Sequence, residues 1–231
     1  METKQMLMTQ LKGNLIVSCQ ALDNEPLHSS FIMGRMAIAA RDGGAKGIRA
    51  NSISDIREIK KVVDLPIIGI IKRVFEGNDV FITPTMEEID ALVEEGVTIV
   101  ALDATKRVRP DGMTITEVFP KIREKYPQQL FMADCSDFEE AKEAARLGFD
   151  FLGTTLSGYT AYTKGTTLPN IELIEKMATQ LEVPVIAEGG IWTPEQLKAS
   201  LTAGALTAVV GTAITRPKEI TERFVRAISN T

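Results

Sequence analysis

The chain has 231 residues, 44% of them hydrophobic and 25% charged, with a formal net charge of −5 from 26 Lys+Arg against 31 Asp+Glu. That length and balance fit a single α/β domain able to bury a sizeable core, and they argue against nucleic acid or an anionic membrane as a partner. The first fifteen residues are mixed polar and do not read as a signal peptide, and no apolar run approaches membrane-spanning length. The two cysteines, Cys19 and Cys135, do not suggest a disulfide framework, so a cytoplasmic location with reduced thiols is expected.

In chain order, 14–19 (NLIVSC) reads as a short apolar strand ending on polar Ser18, Cys19 and Gln20. Ser29 or Ser30 caps a helix that runs to Arg41 and stops at Asp42-Gly43-Gly44. A very short strand over 45–48 ends at Arg49, and Asn51 or Ser52 caps the next helix, which reaches Val63. Residues 66–71 (PIIGII) are a third strand, ending at Lys72. The helix after it is expected to be capped by Thr83, with Pro84 at its first position and Gly96 past its end. Strand four, 97–102, ends at Asp103, and 104–110 reads as a loop before a helix over 114–126. Strand five, 130–133, ends at Asp134; Asp137 caps a helix that Gly148 closes. A short strand over 150–152 leads into a Ser/Thr/Gly/Tyr-rich loop over 154–167 containing Tyr159, then a helix over 170–180. Strand seven, 183–187 (VPVIA), is apolar throughout, rich in β-branched residues and opened by a proline, as suits a strand covered on both faces. It ends at Glu188, followed by Gly189-Gly190. After a helix opened by Thr193-Pro194, strand eight over 206–210 ends at Gly211-Thr212, and a last helix spans 217–229.

Eight strands alternating with eight helices imply a parallel sheet with right-handed crossovers. The repeat length favours a single (β/α)8 TIM barrel over residues 1–231. An open doubly wound sheet is the runner-up, but no GxGxxG follows the first strand.

Active sites of such barrels lie at the C-terminal ends of the strands. There the sequence puts Gln20, Arg49, Lys72, Asp103, Asp134 and Glu188. Gln20, Lys72, Asp134 and Glu188 end the odd-numbered strands and are expected to form one polar layer, with Lys72 facing Glu188 across the mouth. The glycine-ended strands seven and eight suit a phosphate, through backbone N–H groups at Gly190, Gly211 and Thr212. His28, the only histidine, reads as a helix-start or surface residue, so lysine and carboxylate must do any acid–base work. A desolvated lysine, or one held among cations, can serve as a base. It can equally form a Schiff base, and that choice stays open here. A glutamate near a lysine is expected to stay ionised and to be a poor acid. No Cys/His/carboxylate spacing indicates a metal.

Seven segments in order resemble the bacterial N-acetylmannosamine-6-phosphate 2-epimerase family: 13–21 (GNLIVSCQA), 47–51 (GIRAN), 66–72 (PIIGIIK), 101–105 (ALDAT), 132–136 (MADCS), 187–190 (AEGG) and 211–217 (GTAITRP). The resemblance implies a (β/α)8 barrel, commonly dimeric, that interconverts N-acetylmannosamine 6-phosphate and N-acetylglucosamine 6-phosphate in sialic-acid breakdown and needs no redox cofactor. It implies Lys72 as catalytic base with Glu188 assisting proton traffic. Arg49, Asp134 and Gln20 would hold the sugar, with Asp103 and Tyr159 in the same substrate-binding set. Gly190, Gly211, Thr212 and Arg216 would hold the phosphate. Two other readings remain: a Schiff-base aldolase or isomerase acting on another sugar phosphate, and a non-catalytic phosphosugar-binding barrel.

Overall fold

The computed structural model describes residues 2–229. The expected domain over 1–231 thus extends over Met1, Asn230 and Thr231, which lie outside the described residues. The elements run α1 (Glu2–Leu11), β1 (Leu15–Cys19), α2 (Ser30–Asp42), β2 (Gly47–Asn51), α3 (Ile53–Val62), β3 (Ile67–Ile70), α4 (Met86–Glu94), β4 (Ile99–Asp103), α5 (Ile115–Lys125), β5 (Leu130–Asp134) and α6 (Phe138–Leu147). They continue with β6 (Phe151–Gly153), α7 (Ile171–Gln180), β7 (Val185–Glu188), α8 (Pro194–Thr202), β8 (Thr207–Val210), α9 (Thr212–Thr215) and α10 (Pro217–Ser229). The eight strands are parallel and close into a barrel in chain order, β8 pairing with β1 through Leu15 and Ala208, Ile16 and Val209, Val17 and Val210. The open-sheet alternative is thereby excluded.

Strand alternation builds two separate cores. Inward-facing Ile16, Ile68, Ile99, Met132, Phe151, Ile186 and Val209 fill the barrel. Outward-facing Val17, Ile48, Val100, Phe131, Leu152 and Ala187 pack against the helices. Leu7 and Leu11 of α1 join the interior cluster. They stand four residues apart, on one face of the helix, and plug the N-terminal end of the barrel. The sequence pattern offered no helix there, because two leucines among polar residues carry little periodicity. α9 is likewise a helix that the strand-and-helix pattern does not announce.

Two expected boundaries move, for identifiable reasons. β2 begins at Gly47 and not at Ala45, so Arg49 sits in the middle of the strand, opposite Ser18 and Ile68, and not at its tip. α4 begins at Met86 behind Thr85, not behind Thr83. Thr85 and Glu88 form a reciprocal capping box, whereas Thr83 is turned to other uses. Its φ is +47°, and its hydroxyl donates to the Ala101 carbonyl at 2.7 Å.

Towards the mouth, β3 and β4 part. β4 pairs with β5 at five positions but with β3 only at Ile68–Ile99 and Gly69–Val100. Towards the mouth the segment 80–83 wedges between them. Ile82 bridges antiparallel to Lys72, Arg73 N–H donates to the Phe81 carbonyl, and Asp103 N–H donates to the Ile82 carbonyl. The chain after β3 therefore returns as a short extra strand beside Lys72.

Candidate active site at the barrel mouth

A cavity of about 280 Å³ opens at the C-terminal end of the barrel. Ser18 and Gln20 follow from β1, Arg49 from β2, Lys72 from the end of β3 and Glu188 from the tip of β7. Thr155, Leu156 and Tyr159 come from the long loop after β6; Gly189, Gly190 and Trp192 from the turn after β7; and Gly211, Thr212 and Arg216 from the segment after β8. Of the residues expected from sequence, all line this cavity except Asp103 and Asp134.

Asp134 lies directly behind the lining. It receives Arg49 Nη1 at 3.2 Å, Arg49 Nη2 at 2.5 Å and the Thr155 hydroxyl at 2.6 Å. Arg49 also reaches Glu188 at 2.8 Å. Arg49 is thus the hub of the site, 1% exposed and shared by two carboxylates. Burial pulls its guanidinium down, but Asp134 and Glu188 hold it above the ordinary value. The expected layer of odd-strand residues is therefore tied together by a residue of an even strand. Asp103 is placed differently. Its carboxylate accepts from Thr105 N–H at 3.0 Å, the Thr105 hydroxyl at 2.7 Å and Arg107 at 2.5 Å. Those bonds occupy it on its own loop, and it does not line the cavity.

Lys72 follows β3 by two residues and Glu188 ends β7, strands that are four apart in a ring of eight. Burial and the neighbouring Arg49 charge lower Lys72 from 10.5 to about 8, against the opposing pull of Glu188 and Asp134. Burial raises Glu188 from 4.5 to about 7, with Asp134 adding to the shift and Arg49, Lys72 and Thr155 opposing it. Desolvation pushes the Glu188 carboxyl up in spite of the Lys72 charge, while its ion pair with Arg49 favours the ionised form. A base and an acid normally six units apart are brought within about one. Among the described residues the Lys72 ammonium makes no hydrogen bond, and the Oε1 of Gln20, buried beside Ser18, accepts none.

The glycine rim has its own geometry. Gly190 has φ +69°, and a Cβ there would stand 2.3 Å from Leu168 Cβ, so no other residue fits without moving the loop. Among the described residues, no protein acceptor takes the backbone N–H of Gly190, Gly211 or Thr212. Arg216 borders the same rim, but its guanidinium is held by Glu25 and, at 3.1 Å, by Glu219.

Sequence reasoning missed Ser18, Thr155 and Trp192 as lining residues and Glu25 as the partner of Arg216. Thr155 was findable, since it continues the inward alternation of Phe151 and Gly153. Glu25 was not, because nothing local links it to a residue nearly two hundred positions away. The cysteines are buried and free, and burial pushes the Cys19 thiol up to about 12 and Cys135 well above its ordinary value. Neither is a nucleophile at neutral pH.

A closed (β/α)8 barrel with a lysine and a glutamate at a glycine-rimmed mouth is the arrangement of a barrel enzyme acting on a small substrate. A family model described as "Putative N-acetylmannosamine-6-phosphate epimerase" (NanE) matches residues 33–230, and the chain belongs to that family. A relative from Caldanaerobacter subterraneus subsp. tengcongensis, named "Putative N-acetylmannosamine-6-phosphate 2-epimerase", is 56% identical over 222 residues, covering 96% of this chain and 94% of its own. One of the same name from Borreliella burgdorferi is 53% identical over 227 residues, covering 97% and 98%. The solved structure of the N-acetylmannosamine-6-phosphate 2-epimerase from Clostridium perfringens superposes with a TM-score of 0.91 at 54% identity over 96% of both chains. The thiamine phosphate pyrophosphorylase of Pyrococcus furiosus, with a TM-score of 0.61 and 20% identity over 94% of this chain, shares the fold alone.

Proposed function

We propose that this protein inverts C2 of N-acetylmannosamine 6-phosphate to give N-acetylglucosamine 6-phosphate by deprotonation and reprotonation. The observation that carries the reading is the pairing of Lys72 and Glu188 on opposed strands around one cavity, with their acidities drawn together. In the open-chain sugar C1 is an aldehyde, which acidifies the proton on C2. Neutral Lys72 takes that proton, and the charge passes to the C1 oxygen as an enolate. Arg49, buried and fixed by Asp134, offers the positive charge that stabilises it. A proton returned to the opposite face completes the inversion, and Glu188, raised to about 7, can supply it at neutral pH. Gln20 offers an unused acceptor to a sugar hydroxyl, and Tyr159, 62% exposed at the rim, offers a ring face and a hydroxyl. Asp134 orients Arg49 and does not itself touch the sugar.

The phosphate is assigned to the rim of Gly190, Gly211, Thr212 and Arg216. Because Glu25 and Glu219 already neutralise much of Arg216, the backbone N–H groups carry the larger share of this site. The protein is further assigned as a cytoplasmic homodimer. Support for the dimer is that α10 buries none of its residues and exposes Phe224 and Val225; support for the compartment is the pair of free thiols.

Proton NMR of N-acetylmannosamine 6-phosphate with the protein in D₂O tests the reaction: the 2-epimer should appear with deuterium at C2. Product without deuterium, or no turnover, would reject the reading. Borohydride that traps substrate on Lys72 would favour the Schiff-base alternative instead.

Lys72 neutral with Glu188 protonated carries the same number of protons as Lys72 charged with Glu188 ionised. The forward and reverse reactions should therefore share one bell-shaped pH profile, highest between about 7 and about 8. A profile rising through about 8 with no upper limb in either direction would mean that Lys72 serves both faces.

A further inference from the structure

The segment that returns beside Lys72 is fastened from behind by a side chain outside the cavity lining. Arg109, 2% exposed, lies on the loop after β4. It donates through Nη2 to the Thr83 carbonyl at 2.6 Å and through Nη1 to the Asp103 carbonyl at 2.7 Å. Thr83, with its left-handed backbone, in turn donates N–H to the Ile71 carbonyl at 2.8 Å and accepts Ile71 N–H on its hydroxyl at 3.3 Å. Ile71 directly precedes Lys72. The same loop adds two outer fasteners, Arg107 to the Asp79 carbonyl and the Asn78 amide to the Val108 carbonyl, each at 3.0 Å. Phe81 and Ile82, carried on the fastened segment, line the cavity that Lys72 lines.

We infer that Arg109 is a positioning residue for the epimerisation: by pinning the 80–83 segment it holds Phe81 and Ile82 against Lys72 and keeps that amine out of water. An arginine buried on a loop, spending both terminal nitrogens on the main-chain carbonyls of Thr83 and Asp103, adds to the bonds from Asp103 N–H to Ile82 and from the Thr83 hydroxyl to Ala101 at the place where β3 and β4 share only two paired positions. A lysine could reach only one of the two carbonyls at a time.

Burial is the largest cause of the lowered Lys72 pKa, ahead of the charge of Arg49; Glu188 and Asp134 act against it. Loosening the apolar cover without touching these three charged residues should let water reach the ammonium and move Lys72 back towards the ordinary lysine value. Facing Arg109 itself are Asp103 of β4, Asp111 of its own loop and Glu88 of α4, none of which lines the cavity.

The inference rests on Lys72 being the base, and the test separates the two ideas by reading Lys72 twice. Trace acylation with acetic anhydride across pH, quantified at Lys72 by mass spectrometry, gives its titration directly; the pH profile of turnover gives it through the reaction. In Arg109→Met both should move upward by about one pH unit. The bell should then widen, its upper limb moving from about 8 towards about 9 while its lower limb near 7 stays. Arg109→Lys should lie between the variant and the native protein, and Ile82→Ala should shift Lys72 the same way with Arg109 intact. A folded Arg109→Met protein whose Lys72 titrates as in the native chain would overturn the inference. If Arg109→Met does not fold, Ile82→Ala decides by the same measurement. A titration of Lys72 that moves while the rate profile stays still would support the positioning and reject Lys72 as the base.

Discussion

Two buried ionic clusters sit side by side at the mouth of the barrel, and they use their hydrogen-bonding capacity very differently. Around Asp103 it is nearly exhausted: its carboxylate takes three donors, Arg107 and Arg109 are committed to it and to loop carbonyls, and only Arg109 Nε lacks an acceptor. Around Arg49 it is not. The Lys72 ammonium makes no hydrogen bond among the described residues, and the Oε1 of Gln20 and the Nε of Arg49 are buried without a partner. A shifted acidity does not separate the clusters, since burial raises Asp103 as well, against the pull of Arg107. Unspent donors and acceptors do. Saturated charges build a scaffold, whereas charges kept desolvated and unsatisfied cost stability and stay available to a substrate.

The sharpest way to break this contrast is in the rate. Glu188→Gln should lower epimerisation by roughly a thousandfold, within the range for a positioned acid–base group. If Glu188 serves the second face, Lys72 should still wash deuterium into C2 of one epimer; loss of that exchange along with turnover would assign Glu188 to ring opening or to holding Lys72.

Stability should separate the clusters by sign. Lys72 is lowered to about 8 in the folded chain and has its ordinary value of 10.5 when unfolded. The unfolded state therefore binds more protons between those values, so the cost of about 3 kcal/mol is fully present below pH 8 and fades as pH rises towards 10.5. Lys72→Met removes that cost and should raise the melting temperature at pH 7. Asp103→Ala leaves Arg107 and Thr105 without their partner and should lower stability by roughly 3 kcal/mol. Calorimetry giving the same sign for both variants would collapse the distinction. The smallest effect is expected at the rim, where Arg216→Ala should raise KM for the phosphorylated sugar by up to about tenfold with kcat little changed. An unchanged KM would leave the phosphate to the backbone alone.

The same contrast explains what was legible in the sequence. Strand ends are visible as apolar runs stopped by a charge, so Lys72, Asp134 and Glu188 could be placed by counting strands, and the glycines after strands seven and eight marked the rim. Counting cannot tell whether a strand-end carboxylate faces the cavity or its own loop, which is why Asp103 entered the binding set. Arg49 was found at the wrong depth because a two-residue shift of β2 looks alike in sequence. Thr83 resembled a helix cap, since its use as a pivot depends on Ala101 and Arg109, which only the closed barrel brings to it. The α1 plug was hidden because two leucines gain meaning only from the open barrel end they fill.

The central claim is that Lys72 removes the C2 proton, and the most direct measurement is solvent exchange at C2 by Lys72→Ala in D₂O, started separately from each epimer. The expected result is neither exchange nor inversion from either side, in a protein that still binds the sugar phosphate, as reported by the fluorescence of Trp192, the single tryptophan, on the cavity wall. Exchange from either epimer at the native rate would contradict it and assign the base to another residue.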